Sequence, residues 1–220
     1  MDKKFLIVNF IMILLIGLLD ILYMNLGGLW LKTITSLVFV VLGAINLIYI
    51  IKQKKNLKFP IILLVALFVA MVGDVVINLN FLIGAIIFAV GHIFYVIAYS
   101  FLQKFKIKDL IFVLCVFVPA LLIVLFVPIL DFGGITMKIV CVVYALIISF
   151  MVGKSISNYV NNRSLFNLII MIGSILFFIS DAMLLFDVFG NVFLTGILCL
   201  STYYPGQILI AHSVYHYTGK

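Results

Sequence analysis

Two aspartates stand inside long apolar runs of this sequence, Asp74 in the run 59–78 and Asp181 in the run 165–186. An aspartate at the centre of a membrane helix costs roughly 2.5 to 3.5 kcal/mol on insertion scales, so it is a functional candidate by default. Two carboxylates that meet in a low-dielectric site cannot both ionise cheaply, because desolvation and mutual repulsion favour the protonated form of one. Such a pair supplies an acid and a base. It indicates either hydrolysis of an acid-labile enol ether or acetal bond, or proton-coupled transport.

The composition is typical of an integral membrane protein. Of the 220 residues, 67% are hydrophobic and 10% are charged, whereas soluble domains have about 45–50% apolar and about 25% charged residues. The net charge of +7 does not indicate nucleic-acid binding, because the lysines lie mainly in short loops, where they set the orientation of membrane helices. We therefore expect the chain to lie in the lipid bilayer of the cell membrane. We expect no nucleic-acid partner.

A membrane-spanning helix needs about 20 mostly apolar residues, and eight segments of the chain qualify. They are residues 5–23, 33–51, 59–78, 81–102, 110–127, 135–152, 165–186 and 192–217. The predicted fold class is therefore all-α, a polytopic membrane protein with eight transmembrane helices in which residues 1–220 form a single transmembrane domain. No small-residue cleavage site follows the first segment, so we interpret it as a retained span and not as a removed signal peptide.

The positive charges are distributed unequally between the two sides of this eight-span arrangement. Twelve of the 14 Lys and Arg residues fall on the side of the termini, and only Lys32 and Lys138 fall on the other side. The positive-inside rule then predicts that both termini are cytoplasmic.

Counting residues from the cytoplasmic ends places the aspartates at one depth. Asp74 lies 15 residues beyond Phe59, or about 22 Å along a helix axis that rises 1.5 Å per residue. Asp181 and Asp20 lie at nearly the same distance from the cytoplasmic ends of their own spans. Asp20 is also close enough to the end of its span to reach the membrane surface. Lys32, at the outer start of the second span, can reach this layer by snorkelling. We therefore predict one layer with three carboxylates and one amine.

The two halves of the chain share a spacing that indicates a four-plus-four parallel repeat. The pattern Phe-Leu-x-Gly opens both the fourth and the eighth span and ends at Gly84 and at Gly196. Eight residues beyond these glycines come His92 and Tyr204. If the repeat holds, an axis along the membrane normal relates the halves, and it would bring the two aspartates toward each other across the centre.

Two faces of the predicted helices carry polar side chains that turn toward the protein interior. The fourth span presents His92 and Tyr95, and the eighth presents Tyr203 or Tyr204 together with Gln207. Any one of these side chains could merely hydrogen-bond the helices together, but as a group we predict that they line a substrate site. A direct contact between the histidine and the aspartate of the third span is not expected, because residue counting places them at different depths.

No metal or cofactor site is predicted. His212 and His216 have the i, i+4 spacing of helix-borne ligands, but they lie near the cytoplasmic end with no third ligand in view. The three cysteines lie inside apolar runs without paired spacing, so they favour neither a disulfide framework nor a metal site.

Several segments together resemble the YhhN-like, or lysoplasmalogenase, family of eight-span membrane proteins. The resemblance covers almost the whole chain in length and span count, and it is most specific in spans three, four, seven and eight. The segments that carry it are Gly73-Asp74, Phe81 to Gly84 with Gly91-His92-Ile93-Phe94-Tyr95 after it, Gly173 to Asp181, and Thr202-Tyr203-Tyr204 through Gln207. Membership implies a lysophospholipid substrate whose vinyl ether bond is hydrolysed to a fatty aldehyde and a glycerophospho-head group.

On this basis the hypothesis is that Asp74 and Asp181 are catalytic. One of them, protonated, delivers a proton to the terminal vinyl carbon, and the other stabilises the oxocarbenium ion and orients the attacking water. Lys32 is predicted to hold the lipid phosphate as a point charge. The alternatives are a proton-coupled transporter or carrier that uses the same pair as a relay, and a structural scaffold, against which the matched depths argue. The oligomeric state and the identity of the acid stay open.

Overall fold

A computed structural model describes residues 3–219 as a bundle of eight α-helices. They are α1 (Lys3–Leu26), α2 (Leu29–Lys52), α3 (Lys58–Val76), α4 (Phe81–Leu102), α5 (Asp109–Phe126), α6 (Ile135–Asn161), α7 (Leu165–Gly190) and α8 (Thr195–Ser213), followed by a 3₁₀ turn at Val214–His216. Within residues 3–219 there is no strand. The expected all-α fold is therefore confirmed for the described part of the chain.

In the described range, the seven helices α1 to α7 are long and apolar enough to cross a membrane. Their outer faces expose large apolar side chains, among them Trp30 at 85% and Phe10 at 61% exposure. Such continuous apolar surface is unsuited to water and suits contact with lipid. The chain is therefore an integral membrane protein. Among the predicted spans, α8 is long enough but not apolar enough to qualify.

Short links with defined caps separate the helices. The Asn80 side chain accepts a hydrogen bond from the backbone N–H of Ile83 at 3.0 Å at the start of α4. The Ser164 hydroxyl accepts one from Asn167 at 3.2 Å at the start of α7. Both are residue types that satisfy the free N–H groups of a first helical turn. These caps fix where α4 and α7 begin, and α7 carries one of the two candidate aspartates.

The helix bounds agree with the predicted spans to within four residues, except that α6 continues to Asn161 and not to residue 152. Lys154, which the predicted boundary leaves outside the helix, is fully buried in α6. Its Nζ donates to Oδ2 of Asp109 at 2.8 Å, and Ser157 donates to the other carboxylate oxygen at 2.6 Å. This buried ion pair fastens the end of α6 to the start of α5, so α6 stays helical beyond its apolar run.

The helices pack in a similar order in the two halves of the chain. In the first half α1 packs on α2, α2 on α3 and α3 on α4, and in the second half α5 to α8 follow the same order. Between the halves, α2 packs against α8 and α6 against α4. The packing of α1 against α8 would correspond to packing of α5 against α4, but α5 and α4 do not pack to a similar extent. This packing order is compatible with a four-plus-four repeat, which stays a prediction.

Gly84 allows α4 to lie directly against the end of α3. A Cβ at this position would overlap the backbone of Ile77, which cannot move aside without a shift of the chain. We expect Gly84→Ala to lower the free energy of unfolding by about 1–3 kcal/mol, the usual range for overpacking, measured as a lower thermal midpoint in detergent. Gly17→Ala in α1 is the matched control, because a Cβ there meets nothing within 4 Å. Equal midpoints for the two variants would contradict this packing.

Candidate active site

Asp74 on α3 lies at the centre of one buried polar cluster. Its Oδ1 atom is 2.9 Å from Nζ of Lys32 on α2, and both side chains are less than a tenth exposed. Its Oδ2 atom accepts hydrogen bonds from the Ser36 hydroxyl on α2 and, at 3.2 Å, from the Tyr204 hydroxyl on α8. Both carboxylate oxygens are thus bonded, and the ammonium group compensates the negative charge.

Asp181 on α7 lies in a second cluster with different partners. The Tyr144 hydroxyl on α6 donates to Oδ2 of Asp181 at 2.6 Å. Nε2 of His92 on α4 lies 3.3 Å from the same oxygen and 2.9 Å from the Tyr144 oxygen. Among residues 3–219 no Lys or Arg pairs with this carboxylate. Asp181 therefore differs from Asp74, which has the Lys32 ammonium beside it.

The side chains of His92, Tyr144 and Asp181 form a chain of hydrogen bonds. A tyrosine hydroxyl has one hydrogen, so when Tyr144 donates it to Asp181, Nε2–H of His92 is the donor in the His92–Tyr144 contact. The other ring nitrogen, Nδ1, faces the sulfur of Met151 at 3.2 Å, which is a weak acceptor. This chain fixes the orientation of the Asp181 carboxyl group and keeps its Oδ2 atom hydrogen-bonded.

The two clusters use equivalent positions of the two halves. His92 and Tyr204, which stand eight residues beyond matching glycines, each contact the aspartate of the opposite half. Ser36 and Tyr144 precede the aspartate of their own half by 38 and 37 residues, and each donates to its Oδ2 atom. This equivalence of contacts is the geometry that a four-plus-four repeat would produce.

The lysines break this equivalence. Lys138 precedes Asp181 by 43 residues, much as Lys32 precedes Asp74 by 42, but its Nζ donates to the carbonyl of Leu125 at 3.2 Å. Only the first cluster therefore contains a permanent cation. The two aspartates, alike in type and in helix position, differ in how their charge is balanced.

The two candidate carboxylates do not contact each other. Within residues 3–219 no hydrogen bond or ion pair joins Asp74 to Asp181, so a proton shared directly between them, as the sequence suggested, has no path. Both lie within electrostatic range of the Cys199 thiol on α8. Each aspartate instead accepts hydrogen bonds from side chains of the helices that pack next to it.

An apolar cavity of about 110 Å³ reaches Asp181. Its walls come from the end of α3 and from α4 to α7, and apart from Cys141, Tyr144 and Asp181 they are apolar, with residues such as Ile77, Phe81, Ala120, Val140, Phe178 and Leu185. The Asp181 side chain is 11% exposed, and in the described range its Oδ1 atom makes no hydrogen bond. The cavity can therefore place an apolar chain beside a free carboxyl oxygen.

The remaining residues predicted to bind substrate lie in the core and not on that apolar cavity. Tyr95 and Gln207 are fully buried and bond each other at 2.8 Å. Tyr203 is 3% exposed and packs edge to face against the rings of Phe88 and Phe177. Their contacts are those of helix packing, and their role in substrate binding stays a prediction.

The structure adds Ser36 and Tyr144, which the sequence analysis did not single out. The nearly equal intervals that separate them from their aspartates, 38 and 37 residues, are a sequence signal that could have identified them. Lys32, predicted to hold a lipid phosphate, has its ammonium on Asp74. It would have to exchange that carboxylate for a phosphate to act as predicted.

His212 and His216 belong to a separate polar network, and the described residues contain no group of three or more His, Cys, Asp or Glu side chains placed to hold a metal. Nδ1 of His212 is 2.8 Å from Oδ1 of Asn9, and the two Nε2 atoms are 3.3 Å apart. Burial lowers the pKa of His216 below its ordinary value, so this ring is neutral near pH 7. The pair forms an uncharged hydrogen bond at the end of α8.

Comparison with known proteins identifies a family for the chain. The family model described as the YhhN family matches residues 6–214. Neither a curated protein nor a solved structure matches the chain. The matched region includes both aspartate clusters and all eight helices apart from the first residues of α1. Because the match extends over nearly the whole sequence, the chain belongs to the YhhN family.

Proposed function

We propose that this protein is a membrane hydrolase that cleaves the vinyl ether bond of a lysoplasmalogen and releases a fatty aldehyde and a glycerophospho-head group. Membership of the YhhN family supports a lysoplasmalogenase-like activity. The observation that carries the proposal is the apolar cavity that ends at Asp181 and Tyr144. A lipid chain in this cavity would have its reacting bond beside the carboxyl oxygen that no other side chain occupies.

Asp181 is the proposed general acid. Tyr144 occupies its Oδ2 atom, which leaves Oδ1 to carry the proton to the vinyl carbon remote from the ether oxygen. The carbon next to the oxygen then becomes part of an oxocarbenium ion, which the newly formed carboxylate stabilises. Water adds to that carbon, and the hemiacetal collapses to the aldehyde and the free hydroxyl of the head group. The water gives a proton to the Asp181 carboxylate as it adds, which restores the acid, and the hemiacetal hydroxyl proton passes to the departing oxygen, so the reaction consumes one water molecule and no net proton.

Tyr144 and His92 orient the acid. The Tyr144 hydroxyl, 2.6 Å from Oδ2, stabilises the carboxylate as it forms, and His92, 2.9 Å from that hydroxyl, holds the tyrosine in this position. Asp74 remains a proposed site residue in the second cluster. Since Lys32 compensates its charge, we assign it an electrostatic and positioning role and not that of the proton donor.

We also infer that α8 forms an eighth span and that both termini face the cytoplasm. Its 19 residues extend about 28 Å at 1.5 Å per residue, close to the roughly 30 Å of a hydrocarbon core. Its low apolarity comes partly from Tyr204 and Gln207, which are fully buried in the bundle and do not face lipid. The excess of Lys and Arg on the side of the termini supports this orientation, and the cell membrane is the proposed location.

The decisive assay compares a lysoplasmalogen with its saturated ether analogue. The purified protein is expected to release aldehyde from the first substrate only, because a saturated ether has no carbon–carbon double bond to protonate. Release of no aldehyde from an intact, folded preparation would contradict the proposal. Uptake of the lipid into protein-containing vesicles without cleavage would indicate a carrier instead.

A further inference from the structure

Asp20 on α1 is a buried carboxylate without a partner. The residue is 6% exposed, and its Oδ1 atom is fully buried with no hydrogen-bond partner. Within residues 3–219 its side chain makes no hydrogen bond and no ion pair. An isolated charged carboxylate in such a place is strongly unfavourable, because nothing replaces the water it has lost.

The charged and titratable groups near Asp20 give it no cation of its own. Asp74 on α3 lies within electrostatic range, and so does the hydroxyl of Tyr204 on α8. Nζ of Lys32 on α2 lies 5.8 Å from the ring centre of Tyr23, one helical turn beyond Asp20, but this ammonium is bonded to Asp74 at 2.9 Å. Within residues 3–219 no ion pair therefore compensates a negative charge on Asp20.

We propose that Asp20 is a proton-binding site, a buried carboxyl group that holds an exchangeable proton at neutral pH. A proton on Asp20 removes the unpaired charge and leaves the Lys32–Asp74 ion pair intact. It also needs no additional space, unlike a bound metal ion or a lipid ammonium group. The proposal concerns the resting protein and does not depend on the reaction catalysed at Asp181.

Infrared spectroscopy tests the proposal directly. A protonated carboxyl has a C=O stretch apart from the amide bands, and this stretch shifts in D₂O. At neutral pH the wild-type protein should show such a band component that Asp20→Asn removes and that Asp74→Asn leaves in place. Asp187→Asn is the matched control, because Asp187 is exposed on α7 and should contribute nothing. A spectrum of Asp20→Asn identical to that of the wild type, or loss of the component in Asp74→Asn alone, would overturn the proposal.

A second measurement uses the unaltered protein, so it does not depend on folding of a variant. Apolar carbodiimides react with buried carboxyl groups in their protonated form, and peptide mass spectrometry locates the adduct. The adduct should form on Asp20 at neutral pH and decrease as the pH is raised. An adduct on Asp74 without one on Asp20 would show that the proton lies on the wrong carboxyl.

Discussion

Replacement of Asp181 by Asn is expected to lower the rate of aldehyde release by about 10²- to 10⁴-fold, the usual contribution of a general acid. Asn has nearly the same shape and can still accept the hydrogen bond from Tyr144, so the protein should stay folded. Its amide has no acidic proton to deliver to carbon. The measurement is kcat of the purified variant with a lysoplasmalogen, and KM should change little because the cavity walls are unaltered.

Two controls separate the acid from its surroundings. Tyr144→Phe keeps the ring on the cavity wall and removes the hydroxyl that donates to Asp181 at 2.6 Å, so kcat should fall less, again with little change in KM. Asp187→Asn makes the same substitution on α7 outside the cavity, where the carboxylate accepts from Thr195 at 3.3 Å, and it should keep full activity. Full activity in Asp181→Asn would exclude Asp181 as the proton donor.

Replacement of Lys32 by Met is expected to lower the free energy of unfolding by about 3–5 kcal/mol, since it removes the cation from a buried carboxylate. Met keeps the apolar stem of the lysine, so the loss reports mainly the uncompensated charge of Asp74. The deficit should shrink as the pH is lowered, because a proton on Asp74 then replaces the missing cation. Denaturant or thermal unfolding in detergent at several pH values measures both effects.

A double-mutant cycle identifies the partner. Lys32→Met combined with Asp74→Asn should recover part of the stability lost in Lys32→Met, with a coupling energy of about 0.5–3 kcal/mol, as for other contacting pairs. Lys138→Met is the matched control, because its Nζ bonds only the carbonyl of Leu125 among the described residues. If both lysine variants lose the same stability, the Lys32–Asp74 ion pair does not contribute as proposed.

Residue spacing in the two halves of the chain predicted some of the side chains that contact the aspartates. Glycines at equal distances from His92 and Tyr204 identified equivalent positions, and in the structure both side chains contact an aspartate of the opposite half. The same logic would have found Ser36 and Tyr144 from their nearly equal intervals. Spacing could not have revealed that Lys138, at the position equivalent to Lys32, donates to a backbone carbonyl. A lysine side chain is long and flexible, so its partner depends on which acceptors the tertiary structure places within reach.

The sequence by itself determined the membrane class and the all-α fold. Hydropathy and helical rise act along the chain, so they can be counted without knowing which helices touch. Only the tertiary structure decided that Asp74 pairs with a lysine while Asp181 pairs with a tyrosine and a histidine beside an apolar cavity. These pairings join α3 to α2 and α8, and α7 to α6 and α4. Hydrogen bonds act over about 3 Å, and such distances are set by helix packing and not by the order of residues.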